Sequence, residues 1–341
     1  MLHLSVDPEA PDPAAIRQAA EAIRRGELVA FPTETVYGLG ADALDPAAVA
    51  RIFEAKGRPA DNPLIVHVAR AEDLDALVRR VPPEAHLLAA YFWPGPLTLV
   101  LPRRPHVPDI TTGGLNTVAV RVPAHPVALA LIEACGRPLA APSANRSGRP
   151  SPTRAEDVIA DLGDRVAVVL DAGPCSVGLE STVLDLSSNT PVLLRPGGVS
   201  REAIEAVVGP VRLGAGEAEG ARSPGTRYRH YAPRARLLLA PPGEAEREAR
   251  RVAASSPPGV RVGVIARAAL TGPAGDLEAR VFPGSVEAYA RGLFAALRDL
   301  DAAGCTVVVA ESVPDEGIGL AVMDRLRRAA SGSGGAGDAR A

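Results

Sequence analysis

Lys56 is the only lysine among the 37 lysines and arginines of this chain, and it opens the segment Lys56-Gly57-Arg58-Pro59-Ala60-Asp61-Asn62-Pro63. A composition that has turned every other basic position into arginine has kept a compact, flexible ammonium here. That ammonium differs in geometry and hydration from the planar arginine fork. Lys56 and Arg58 place two cations two residues apart on a stretch stiffened by Pro59 and Pro63, with Asn62 and His67 beyond. Such cations suit a polyphosphate, whose chemistry needs positioning and charge neutralisation more than a strong base. Upstream, Thr33, Glu34, Thr35 and Tyr37 precede Gly38 and Gly40, which permit close backbone approach. Downstream, Ser143-Ala144-Asn145-Arg146-Ser147-Gly148 offers small side chains and amides that can cradle phosphate oxygens. Each of these two segments, taken alone, also reads as an ordinary polar turn.

Arg121 stands among Val118, Val120 and Val122. A strand arginine in that company either pairs with an internal acid or holds a ligand carboxylate with two parallel hydrogen bonds. Glu180-Ser181-Thr182 opens one strand and Arg195-Pro196-Gly197-Gly198 closes another. His67 ends a strand, where an imidazole is more often structural than catalytic. No G-x-x-x-x-G-K-[ST] loop occurs, so an ATP site here would not be a P-loop. Ser143 lies in Pro-Ser-Ala-Asn and not in a G-x-S-x-G elbow, which removes a serine-hydrolase reading. Neither H-E-x-x-H nor a Cys/His cluster suggests zinc.

These polar residues need strand ends to hold them. Ile16, Ala19, Ala20 and Ile23 recur at helical spacing over 13–25, and Gly26 closes that helix. Buried strands are predicted at 28–31, 64–68, 97–101, 117–122, 139–142, 166–171, 181–186 and 192–195. Helices are predicted at 46–55, 71–79, 83–90, 126–135 and 200–208. Interleaved strands and helices of this kind make an α/β domain with a mixed, twisted sheet. Residues 209–234 read as a linker without secondary structure, whose second half, Ser223–Pro233, is too rich in Tyr, His and Arg to be inert. Beyond it, apolar strands at 236–239, 260–265 and 306–309 alternate with helices at 244–254, 286–300 and 317–330. That is a smaller, Rossmann-like parallel α/β domain. The expected organisation is a mixed-sheet domain over 1–208, a linker over 209–234 whose second half docks onto something, a C-terminal domain over 235–330 and a disordered tail over 331–341.

The formal net charge is −3, with no basic run long enough for a nucleic-acid stripe, so at most a transient RNA contact is expected. Three cysteines without C-x-x-C spacing suggest neither a disulfide framework nor a metal site. No apolar stretch approaches the ~18 residues of a membrane span, and the N-terminus has no signal-peptide pattern. A cytoplasmic protein without membrane contact is expected.

Taken together, Phe31–Gly40, Lys56–His67, Trp93-Pro94-Gly95-Pro96-Leu97-Thr98, Ala141–Asn145, Glu180–Val183 and Leu194–Gly197 resemble the YrdC-like family of threonylcarbamoyl-adenylate synthases. The Ser-Pro-Gly…His-Tyr-Ala-Pro linker and trailing α/β domain resemble its long form. The resemblance implies a twisted mixed sheet with a concave, positively lined cavity. It implies that L-threonine, bicarbonate and ATP give threonylcarbamoyl-AMP and pyrophosphate, with Mg²⁺ carried on the ATP phosphates. Downstream threonylcarbamoyl-transfer proteins would then modify the adenosine beside the tRNA anticodon. By motif match, Thr35, His67, Arg121, Ala141 and Ser181 would surround threonine. Arg58, Asn62, Thr117, Ser143, Asn145, Ser151, Arg195 and Tyr231 would contact ATP. Lys56 and Arg58 would be catalytic at the phosphates, and the linker would close over the site with Tyr231 reaching in. A carbamoyltransferase of the hydrogenase-maturation type contains a similar module, but also an acylphosphatase domain and zinc-binding cysteine pairs that are missing here. A pure RNA-binding module lacks support from any stacking platform.

Overall fold

The computed structural model describes residues 1–214, 217–220, 222–223, 230–272, 275 and 277–331. The chain divides into two compact units. The first comprises Met1–Ser147, Ser151–Ser176 and Glu180–Arg227. The second comprises Tyr228–Ala341 together with Gly148–Pro150 and Val177–Leu179.

Among the described residues of the first unit, eleven strands form one sheet. Their order is Leu2–Ser5, Val168–Asp171, Val29–Phe31, Gly38–Asp42, Leu139–Ala140, Ile65–His67, Thr117–Arg121, Leu97–Pro102, Thr182–Asp185, Val192–Arg195 and Arg212–Leu213. Neighbours are parallel at Ile65–His67 against Thr117–Arg121 and antiparallel at Gly38–Asp42 against Val29–Phe31, so the sheet is mixed as expected. The helix Pro13–Arg24 starts where the Asp12 carboxylate accepts the Ala14 N–H and Pro13 takes the first helical position. It turns Ile16, Ala19, Ala20 and Ile23 inward onto a core shared with Val29, Phe31, Leu131 and Leu170.

Several elements depart from the periodicity. Gly38–Asp42 is a strand, although its two glycines read as a turn. A Cβ on Gly40 would lie 2.7 Å from the Phe31 ring, so the bare backbone is what lets that aromatic fill the layer beside it. The predicted helix at 71–79 is a 3₁₀ turn, Ala71–Asp73, leading into the short helix Leu74–Leu77. The helix Ala155–Leu162 was not anticipated from its acidic composition. Within 209–234, expected to lack secondary structure, Arg212–Leu213 pairs in parallel with Val192–Leu193 and Glu217–Gly220 forms one helical turn. An edge strand two residues long has too little pattern to be read from sequence.

In the second unit, four strands run parallel in the order Arg236–Ala240, Val307–Glu311, Val262–Ala266, Leu277–Val281. The helices are Ala245–Ser255, Val286–Ala302 and Gly319–Ser331. Leu277–Val281 was missed because Glu278 and Arg280 break the apolar run that marks a central strand; it lies at the edge of the sheet. Ser331 ends the last helix, and the tail expected from there on otherwise lies outside the described residues.

Candidate active site

The helix Pro46–Lys56 begins at Asp45, whose carboxylate accepts the Ala47 N–H at 2.9 Å, and ends at Gly57, which turns left-handed at φ 62°. Lys56 therefore sits on the last turn and is 4% exposed. Its Nζ donates to the carbonyls of Ser143 and Asn145, each at 2.5 Å, while Ser147 N donates back to the Lys56 carbonyl at 3.0 Å. The lone lysine thus binds the helix end to the Ser143–Ser147 loop. In that loop Ser143 Oγ donates to Asn145 Oδ1 at 2.5 Å, and Ala144 N reaches Tyr37 O at 2.8 Å.

Arg58 folds its own segment: Nη2 donates to Pro63 O at 3.0 Å and to Asn62 O at 3.3 Å. Asn62 is buried, yet neither atom of its side-chain amide has a hydrogen-bond partner among the described residues. A buried amide with all its valence unmet costs free energy unless something completes it. Ser151 Oγ donates to Glu180 Oε1 at 2.5 Å. Arg195 Nη2 donates to Ser181 O at 2.8 Å and Oγ at 3.2 Å, and the Ser181 and Thr98 hydroxyls lie 2.8 Å apart. Gly197 makes this approach possible, since a Cβ there would lie 2.3 Å from the backbone joining Ser181 to Thr182.

Arg121 and His67 end adjacent parallel strands in register with each other. Both are buried. Arg121 Nε donates to Gly95 O at 3.1 Å, and Nη1 donates to Thr35 Oγ1 at 2.9 Å. Its Nη2 lies 2.6 Å from Glu34 Oε1 in an ion pair buried on both sides. Of the two alternatives open for this arginine, the internal acid is therefore present. Burial, helped by the Arg121 charge, pushes the His67 pKa down to about 3, so the ring is neutral across the physiological range. Its Nδ1 has no partner among the described residues.

The two clusters are tied together. Ser143 bridges to Gly38, the residue after the Pro32–Tyr37 loop that supplies Glu34 and Thr35 to Arg121. Ala141 N donates to Ile65 O at 2.9 Å, and Thr117 opens the strand that Arg121 closes. Thus Thr35, Lys56, Arg58, Asn62, His67, Thr117, Arg121, Ala141, Ser143, Asn145, Ser151, Ser181 and Arg195 all belong to the first unit, at strand ends, at the end of the helix Pro46–Lys56 and in the loops leaving them. Tyr231 is described with the second unit. Its ring stacks on Phe294 with centroids 5.4 Å apart, and the Arg325 guanidinium lies 5.1 Å from its centroid. Residues 224–229 of the expected lid lie outside the described residues.

Sequence reasoning assigned no task to Glu34, Thr98 or Gly95. An acid between two threonines directly after a buried strand was the available signal for Glu34. Its partner lies 87 residues further along the chain, a pairing that local spacing does not show.

Comparison with known proteins accounts for nearly the whole chain. A family model described as "Telomere recombination" matches residues 21–197, and one described as "Threonylcarbamoyl-AMP synthase, C-terminal domain" matches residues 199–331. The threonylcarbamoyl-AMP synthase of Pyrococcus abyssi is 52% identical over 92% of this chain and 93% of its own. The chain belongs to the threonylcarbamoyl-AMP synthase family. The Bacillus subtilis member is 49% identical, with 93% of each chain covered. The crystal structure of P. abyssi Sua5 complexed with L-threonine superposes with a TM-score of 0.91 at 49% identity, covering 97% of this chain and 98% of that one. A trailing α/β unit in addition to the mixed sheet makes this a long-form member.

Proposed function

We infer that this chain is a threonylcarbamoyl-AMP synthase that condenses L-threonine, bicarbonate and ATP and releases pyrophosphate. The observation that carries the reading is identity of 52% to a threonylcarbamoyl-AMP synthase across more than nine-tenths of both chains. The buried, cation-rich strand ends of the first unit are suited to the chemistry. The amine of threonine must be carboxylated, and the carbamate oxygen must then attack the α-phosphorus of ATP. Two anions are brought together, so fixed positive charge matters most.

Arg121, already oriented by Gly95 O and Thr35 Oγ1, would hold the threonine carboxylate, with His67, Ala141 and Ser181 around the rest of the molecule. Arg58, Asn62, Thr117, Ser143, Asn145, Ser151 and Arg195 would receive ATP. Asn62 brings two unmet polar atoms for this purpose. Lys56 would set the shape of the Ser143–Ser147 loop through its two carbonyl bonds and offset charge that grows on the phosphates. Mg²⁺ enters with the ATP phosphates as part of the substrate. The product is a mixed anhydride, which downstream transfer proteins in the cytoplasm would pass to the tRNA adenosine. Among the described residues no helix is long and apolar enough to cross a membrane.

The test is pyrophosphate release from ATP and Mg²⁺, with threonine and bicarbonate added singly and together. Release that needs both is the expected result. Release indifferent to threonine would point to another acceptor and overturn the reading.

A further inference from the structure

Carboxylation has a proton problem that the binding roles above leave open. Threonine arrives as an ammonium, and only the free amine can attack bicarbonate. The side chains around Arg121 offer few acceptors. Burial, with the Arg121 charge beside it, pushes the His67 pKa down, because a proton there would add a second buried positive charge, whereas a proton on a carboxylate neutralises one. The Cys175 thiol and the Tyr37 phenol are both pushed up, chiefly by burial, and keep their protons. The Glu180 carboxylate already accepts the Ser151 hydroxyl. Lysine and arginine only donate.

Glu34 remains. It is 6% exposed, and its Oε1 lies 2.6 Å from Arg121 Nη2. Its Oε2 has no hydrogen-bond partner among the described residues. In an α-amino acid the nitrogen is attached one carbon from the carboxylate. A substrate whose carboxylate is held by Arg121 therefore brings its ammonium close to the acid paired with that same arginine.

We propose that Glu34 is the general base that takes the first proton from the threonine ammonium. The proposal rests on the synthase reading above. The ammonium and the Glu34 carboxylate become a free amine and a carboxylic acid. The amine nitrogen then bonds to the bicarbonate carbon, and the C–OH bond breaks. The Glu34 acid returns its proton to the departing hydroxide, which leaves as water, and the second nitrogen proton passes to solvent. Carbamate, water and one proton balance the ammonium and bicarbonate that entered.

The test is the pH profile of Glu34→Gln, which keeps the shape and an oxygen facing Arg121 but accepts no proton. The expected kcat for pyrophosphate release is lower by about 10²–10⁴-fold. Threonine affinity, read by calorimetry, should change by less than about tenfold. Above neutral pH the variant should gain rate with rising pH as free amine accumulates in solution, while the wild type stays flatter. The groups facing Glu34 are Arg121, Cys175 and His125. The Cys175 thiol is raised above its ordinary value and the His125 imidazole lowered below its own, both mainly by burial, so neither imitates that profile. Glu34→Asp keeps a carboxylate and should retain partial activity with the wild-type profile, which preserves the test if the glutamine variant does not fold.

A Glu34→Gln enzyme within about threefold of wild type would overturn the proposal. So would a defect removed by saturating threonine, or one with an unchanged pH profile, since either reduces Glu34 to a counter-ion for Arg121. Failure of the synthase reading is distinguishable, because it would appear as wild-type protein without threonine-dependent release.

Discussion

Both units of this molecule bury charged side chains, and they use them differently. In the second unit the Glu311 carboxylate accepts the N–H groups of Gly243 and Arg267 at 3.0 and 2.8 Å. Arg298 donates to Pro150 O, and Arg325 ion-pairs with Asp324 beside the Tyr231 ring. These charges are committed to holding strand ends and loops in place. In the first unit Glu34 Oε2, both amide atoms of Asn62 and His67 Nδ1 are buried with no partner among the described residues. Folding alone does not repay such groups. The contrast separates polar groups that complete a fold from these buried polar groups that the fold leaves unmet, and it makes opposite predictions for mutations of similar burial.

The largest effect is expected at the phosphate side. Lys56→Ala and Arg58→Ala should each lower pyrophosphate release by about 10³-fold or more, with circular dichroism unchanged. Glu311→Ala should do the reverse. Two backbone N–H groups lose their acceptor, so denaturant titration should show a loss of about 2–4 kcal/mol. Activity per folded molecule should stay within about twofold.

An acid titration separates the units at the next level. Because burial holds the His67 pKa near 3 against an ordinary 6.5, the unfolded state binds the proton first as pH falls. The stability linked to His67 is therefore fully present above pH 6.5 and is lost progressively as the pH drops towards 3. Between neutral pH and pH 5 that amounts to roughly 2 kcal/mol, and His67→Gln should flatten this arm of the stability curve. The smallest stability change belongs to Asn62→Ala. Removing two unmet polar atoms offsets the small cavity left behind, so unfolding free energy should move by less than about 1 kcal/mol. The same variant should raise the KM for ATP at least about tenfold.

Much of the first unit was legible because its chemistry sits at the ends of short apolar strands. Leu28–Phe31, Leu64–Val68 and Thr117–Val122 announce themselves by composition, and Thr33–Thr35, His67 and Arg121 follow or close them. The helix that delivers Lys56 was predicted one residue short, at 46–55, because its end is set by the left-handed Gly57 that follows Lys56. Gly38–Asp42 was not legible, because its glycines answer to the Phe31 ring on the neighbouring strand and not to local conformational preference. The Glu34–Arg121 pair was half legible. An arginine among valines signals that something charged must meet it, but the partner is fixed by tertiary proximity. Gly197 likewise reads as a turn, and only the fold shows that its missing Cβ admits the Ser181–Thr182 backbone.

The burial of the single lysine has a consequence for how the protein can be handled and watched. Lys56 is 4% exposed and its Nζ is capped by two carbonyls, so the folded chain presents no lysine side chain to a succinimidyl ester or an acetyl donor. Reaction at that amine requires the helix end and the Ser143–Ser147 loop to part. The rate at which Lys56 becomes labelled is therefore a clock for opening of that one segment, and it can be read by mass spectrometry of the peptide that contains it. A nucleotide that closes the loop should slow the clock, which turns an unusual composition into a built-in reporter of occupancy.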